Sequence, residues 1–282
     1  MTNKPYLLYS VICCMTGSFI FAGCIEQKQK PTPSIEILSS DTTVHLLGDP
    51  QSPGCKMSIE YAYLKPAEQS DSISASISST LQKVALGEQY TGIPIQEALN
   101  AFKDNYTQRY IKDVEPLYQS ELKRKKDKED LPSWYNYEYS LTTDLKKGKE
   151  GVWNYTCTTF EYTGGAHPNT RIKWFNIEEQ NGKLLEKADV FAAGKDKEIC
   201  ALLMPKLMEY VNEKMDTDTI STLEGLQNAG VLMDTDLFVP DNFLLSEEGV
   251  SFLYNQYDIA PYSMGCITLT LPYEDINAYL IK

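Results

Sequence analysis

The 282-residue chain carries 26 basic and 39 acidic residues, a formal charge of −13 with two histidines. That charge argues against a nucleic-acid backbone or an anionic membrane surface as partner. A 42 % apolar composition with 19 Tyr and 9 Phe excludes wholesale disorder.

The N-terminus reads first. Between Lys4 and Cys24 lie 19 uncharged residues, rich in Leu, Ile and Phe, that end in Phe21-Ala22-Gly23. Small residues before a cysteine resemble a bacterial lipoprotein signal, with cleavage ahead of Cys24 and acylation of its thiol. Residues 1–23 are then a signal peptide. Competing readings are a plain secretory signal and an uncleaved anchor, since the stretch is just long enough to span a bilayer. All three readings place the remainder in the cell envelope, facing the periplasm or the cell surface. Removing residues 1–23 takes away one lysine, leaving 25 basic against 39 acidic residues and a charge of −14. Residues 24–34, with Pro31 and Pro33, read as a lipid-anchored tether.

Residues 35–47, with Ile35, Ile37, Leu38, Val44 and Leu46, suggest a first strand pair or hairpin. From 56 to 64, Met57, Ile59, Tyr61 and Tyr63 alternate with Ser58, Glu60 and Ala62, which predicts a half-buried strand. Ile73, Ile77, Leu81, Val84 and Ala85 recur at helical spacing, and Gly87 stops that helix. Pro94 opens a longer one carried by Ile95, Leu99, Phe102, Tyr106, Ile111 and Val114, which Pro116 should kink or end. Lys123 to Asp130 reads as a solvated, charged helix end or loop. Tyr135, Tyr137, Tyr139 and Leu141 predict a strand whose tyrosines enter the core. Lys146 to Lys149 predicts a turn, and 152–163 and 170–178 predict two further strands. Asn181-Gly182 signals a tight hairpin. Residues 196–214 read as a helix that Pro205 should disturb. Strands are expected at 243–258 and 266–271, then a closing helix from Tyr273 to Leu280.

The blocks of strands and helices predict an α+β fold: antiparallel sheets with helices packed on one face, in two interlocked halves. The expected halves are residues 35–180 and 181–282, sharing a core.

Two turns carry the candidate site. The first is Tyr162-Thr163-Gly164-Gly165-Ala166-His167-Pro168-Asn169, where paired glycines permit positive φ. The second is Tyr257-Asp258-Ile259-Ala260-Pro261-Tyr262-Ser263-Met264-Gly265. Together they resemble the RsiV-like extracytoplasmic domain family, paired domains also found ahead of the PdaC deacetylase domain. The resemblance spans roughly residues 35–275. It implies lysozyme recognition and envelope-stress sensing in the RsiV branch. The anti-sigma and deacetylase activities are not carried over. The binding residues expected are Tyr162, Gly164, Gly165, His167, Asn169, Tyr257, Pro261, Tyr262 and Gly265.

Catalytic signatures are missing from the sequence. His45 and His167 make no HxH or HExxH, Ser263 lacks the first glycine of GxSxG, and no phosphate loop occurs. Cys55, Cys157, Cys200 and Cys266 are too widely spaced for a zinc motif, but in an oxidising compartment they allow disulfides. The expectation is a non-enzymatic binding lipoprotein with no metal or cofactor. Its partner is lysozyme or another cationic envelope protein, with membrane contact through the anchor. A peptidoglycan- or glycan-binding module is the alternative. A carboxylate-dependent hydrolase stays open, because a glycosidase needs only two acids across a cleft.

Overall fold

A computed structural model describes residues 33–68, 70–124 and 133–281. The expected signal peptide, Cys24, nearly all of the expected tether and residues 125–130 of the charged stretch lie outside these. Among the described residues no helix is long and apolar enough to cross a membrane.

Strand β1 (Ser34–His45) pairs antiparallel along its full length with β2 (Gly54–Lys65). The expected early hairpin is therefore one long edge strand. The chain reverses only after His45, through a turn in which Leu47 and Gly48 take positive φ and His45 Nδ1 meets the Ser52 carbonyl at 2.9 Å. Alternation on β2 buries Cys55, Met57, Ile59 and Tyr61. It breaks at Ala62, whose N–H donates to the Thr143 hydroxyl at 2.7 Å, and Tyr63 turns out to donate to Glu36.

Helix α1 (Ser72–Leu86) starts at Asp71, which accepts from the Ser74 N–H, and stops at Gly87 with φ 110°. Helix α2 (Ile95–Arg124) passes straight through Pro116. Packing on both sides of the proline holds it. The Tyr110 hydroxyl donates to the Tyr135 carbonyl at 2.9 Å, and Tyr118 packs edge-on against Tyr135. The two helices carry the chain across the sheet, so β2 and the next strand, β3 (Tyr137–Lys147), run parallel. A crossover of this length permits that pairing.

Antiparallel neighbours follow: β4 (Val152–Tyr162), β5 (Asn169–Glu178) and the short β6 (Leu184–Leu185), the last across the Asn181-Gly182 turn. The six strands lie in sequence order in one sheet. Its helix-covered face holds the first core, including Met57, Ile59, Leu81, Leu99, Tyr139 and Tyr155.

The C-terminal part adds α3 (Lys187–Val190), α4 (Asp196–Lys214), α5 (Leu223–Asn228), β7 (Phe243–Leu245), β8 (Gly249–Tyr254), β9 (Ile267–Pro272) and α6 (Tyr273–Ile276). The run expected as one strand at 243–258 is the β7–β8 hairpin followed by a turn. Gly249 makes it fit, because a Cβ there would lie 2.2 Å from the Leu271 carbonyl oxygen. Helix α4 continues through Pro205, held by Ile199, Leu203, Leu207 and Val211, all buried in the second core with Phe252 and Leu269. The closing helix is a single turn, continued as a 3-10 turn to Tyr279. The fold is α+β, with antiparallel pairing dominant and helices against the sheets.

The four cysteines are free thiols. Cys55 and Cys157 sit on strands separated by β3 and align with Tyr137 and Thr143, six residues apart along it. A disulfide needs Cα atoms within about 7 Å, and two strand spacings alone exceed that. Cys200 instead faces the Leu237 carbonyl, and Cys266 the Asn255 side chain.

Candidate binding site

The two cores interlock at β5. Val152 of the first sheet packs into the second core. β6 pairs only with Asn176 and Ile177, leaving the rest of the β5 edge for other groups. Asparagine side chains take that place. Asn255 accepts from the Ile172 N–H at 2.8 Å and donates to the Ile172 carbonyl, while Asn242 accepts from Trp174 N–H at 2.7 Å. Deeper in, the Asn176 amide accepts from Leu245 N–H and Asn154 and donates to the Phe243 carbonyl. An amide carries both donor and acceptor, so it mimics a strand partner and blunts the edge.

Above this seam the two predicted turns meet. Strand β4 ends at Tyr162 and β5 resumes at Asn169, which faces Glu161. Gly164 takes φ +84°, and a Cβ there would be 2.1 Å from the Trp134 carbonyl oxygen, so only glycine allows the loop to lie on Trp134. A Cβ on Gly165 would make only an ordinary contact, 3.9 Å from the His167 carbonyl oxygen, so that position has no such constraint. The loop lifts His167 into solvent, with Nδ1 3.1 Å from the Pro168 carbonyl. With that nitrogen donating, Nε2 is left as acceptor for the Tyr257 hydroxyl at 3.2 Å.

Tyr257 reaches across from the β8–β9 connection. Its turn is closed by Asn255 N–H donating to the Asp258 carboxylate at 2.7 Å and by Tyr257 N–H donating to the Ala260 carbonyl. Tyr257 is 61 % exposed and holds φ 70°, a strained conformation for a bulky residue. Pro261 then starts a 3-10 turn over Tyr262–Met264 that Gly265 ends with φ 75°. Tyr262 stacks on His167, with centroids 4.2 Å apart and planes 28° from parallel, and its hydroxyl donates to the Pro168 carbonyl. Ile259 and Met264 anchor the connection in the second core.

Of the sequence-predicted residues, His167, Tyr257 and Tyr262 form one aromatic cluster. Gly164, Pro261 and Gly265 shape the backbone beneath it. Tyr162 and Asn169 stay on the strands and take no part in the ring contacts. Sequence reasoning missed Asn242 and Asn255. It also missed the groove of about 380 Å³ beside Tyr257, which Met233, Asp234 and Asp258 help to line. Asn154 and Asn176, polar and strand-averse residues inside strand runs, were the available signal. Among the described residues no group of three or more His, Cys, Asp or Glu could hold a metal ion. What the cluster offers chemically is aromatic stacking, tyrosine hydroxyls and neighbouring carboxylates.

Residues 188–274 match the sequence profile of a family described as "Protein of unknown function (DUF3298)". The chain is similar to the crystal structure of a DUF3298 family member from Bacteroides fragilis. The TM-score is 0.80 and the identity 27 %, covering 90 % of this chain and 96 % of that one. A DUF3298 family protein from Pseudomonas aeruginosa shares the fold at a TM-score of 0.59 and 15 % identity, over 89 % of this chain and 96 % of that one. A search of curated proteins finds no match. The turn carrying Tyr257 and Tyr262 lies within the segment that matches the DUF3298 model.

Proposed function

We propose that this protein is a lipid-anchored envelope lipoprotein that binds a partner without catalysis, through the His167–Tyr257–Tyr262 cluster. The observation that carries this reading is the convergence of two loops from different sheets on one solvent-facing set of rings. Aromatic residues with polar tips give large contact area and hydrogen bonds at low entropy cost, which is what interface centres use. The partner proposed is a cationic envelope protein, with lysozyme the specific case. The acidic surface would steer it inward, and the projecting loops would enter a concave partner site. RsiV-like kinship is part of this proposal.

Calorimetric titration of lysozyme into the full-length protein, at low and physiological salt, tests it. Micromolar or tighter binding that persists at physiological salt and drops at least about tenfold in Tyr262→Ala is the expected result. Binding that vanishes with salt, or ignores that substitution, sinks it. The near-parallel His167 and Tyr262 rings favour a second reading, a glycan-binding module. Salt-insensitive retention on peptidoglycan, with no lysozyme binding, would select that one.

A further inference from the structure

Helix α4 has a second apolar stripe that the core covers only in part. Its buried face is Ile199, Leu203, Leu207 and Val211. One residue further round, Cys200, Met204 and Met208 repeat at the same four-residue step and remain only half-buried. They floor a groove of about 480 Å³ whose opposite wall includes Leu223 and Leu237. Leu223 is itself exposed. Past Pro205 and Met208 a second groove of about 510 Å³ continues along the helix, lined by Glu209, Glu213, Asp216 and Asp218. Lys206 pairs with Glu209, whereas Glu213, Asp216 and Asp218 form no salt bridge among the described residues.

Pro205 lies at the junction of the two grooves. Having no N–H, it cannot bond the Ala201 carbonyl, so a backbone acceptor on the same groove lacks its helical donor. The proline that should have disturbed the helix leaves it continuous.

We propose that the α4 groove binds a basic, amphipathic peptide segment of a partner protein. Apolar side chains would seat on Met204 and Met208, and Lys or Arg side chains would meet the carboxylates at the other end. Flexible, polarisable methionines suit a docking surface that accepts varied apolar side chains. Charge complementarity fixes the direction: the apolar half of the ligand lies toward Cys200 and the basic half toward Asp218. From Lys197 to Glu213 the helix spans roughly 24 Å, enough for about 14 residues of helical peptide with a flexible end. This site is separate from the His167–Tyr257–Tyr262 cluster and stands without it.

The test uses fluorescence anisotropy with a labelled peptide of about 14 residues, Leu on one helical face and Lys on the other. A peptide of the same composition in scrambled order is the comparison. The amphipathic peptide should bind at least about tenfold tighter than the scrambled one. Glu213→Lys with Asp218→Lys should weaken it about tenfold or more, while Glu60→Lys with Asp144→Lys, an equal change of net charge on the first sheet, should weaken it less than about threefold. Met204→Gln, similar in size and checked for folding by circular dichroism, should also lose about tenfold, and Tyr262→Ala should lose nothing. Equal affinity for both peptides, equal losses from both charge reversals, or no loss in a folded Met204→Gln would overturn the groove. Loss in Tyr262→Ala would move the peptide to the loop cluster and overturn it as well.

Discussion

The two cores are built from different chemistry. The first is tyrosine-rich, and three of its hydroxyls bond to groups of the first half, whereas the buried Tyr61 hydroxyl has no hydrogen-bond partner among the described residues. Tyr110 donates to the Tyr135 carbonyl, Tyr155 to the Ala62 carbonyl and Tyr106 to the Glu161 carboxylate at 2.6 Å. The second is mostly Leu, Ile, Val and Phe, with Tyr254 its one fully buried tyrosine among the described residues. Hydrogen bonds inside a core are directional, so they fix how α2 lies on its sheet. Aliphatic packing is not directional, and the second sheet takes its register from the asparagine seam on β5 instead. The candidate site therefore has one loop on each kind of support, and its geometry depends on the seam.

Alkaline pH should strain that contrast most. Burial pushes the Cys55 and Cys157 thiols up to about 12 and raises the hydroxyls of Tyr61, Tyr106, Tyr110, Tyr139 and Tyr155. In the second core Tyr254 rises likewise, and Tyr273 goes to about 12. These groups are raised in the folded state, so their contribution is whole below the unfolded pKa and is lost as pH climbs toward the folded one. Cys157 alone should withdraw about 3 kcal/mol between pH ~9 and ~11, at about 1.4 kcal/mol per pH unit, and the tyrosines act in the same direction above pH ~10. Urea midpoints should collapse across that window. Pulse-labelled hydrogen exchange should show β2–β4 opening no later than β8–β9. Earlier opening of β8–β9 would contradict the contrast.

Removing a large side chain from the aliphatic core should cost less than that pH change but more than any other single substitution here. Phe252 is fully buried and packs on Phe191. Phe252→Ala should destabilise by about 3–5 kcal/mol, read by urea unfolding. With Val152 and the seam tying the cores, the expected result is one transition shifted as a whole. Two transitions, only one of them shifted, would show that the cores fold separately.

Asn176→Ala cuts the seam itself. Its side chain is 1 % exposed and holds three partners. Their loss should cost about 3 kcal/mol, because buried groups are left unpaired. Lysozyme or glycan binding should weaken as the two loops lose their common base. Asn154→Ala, which breaks only one of these contacts, should cost about 1 kcal/mol.

Much of this was legible in the residues, and what was not has physical reasons. Period-two alternation marked β2, β3 and β9, because one face of each is buried. Asn181-Gly182 announced its hairpin because Gly182 needs φ 76°. Periodicity reports which face of a strand is buried and is silent about its neighbour, so the parallel β2–β3 pair was hidden. Pro116 and Pro205 read as breaks because propensity is local, whereas the packing that overrides it joins residues far apart in sequence. The site was half legible. Both turns were visible, but the contact between His167 and Tyr257 spans 90 residues and exists only once β5 is stapled to the second sheet. Of the asparagines that do this, Asn176 lies within β5, but Asn242 and Asn255 lie just outside β7 and β8, where strand periodicity marks nothing.

The smallest expected effect on stability is the most informative about the site. Tyr257 holds φ 70° with most of its ring in solvent. A strained backbone of this kind costs about 1 kcal/mol or more and persists only where something else maintains it. Its contact with His167 is exposed, so little folding energy opposes its removal. Tyr257→Gly should therefore stabilise the protein by about 1 kcal/mol, read by urea unfolding, while partner binding falls about tenfold. A gain in stability with a loss of binding would mean that the strain is kept by the ligand surface. Destabilisation would mean that Tyr257 serves the fold, and the site would then contract to His167 and Tyr262, the pair held by stacking and by the Tyr262 bond to the Pro168 carbonyl.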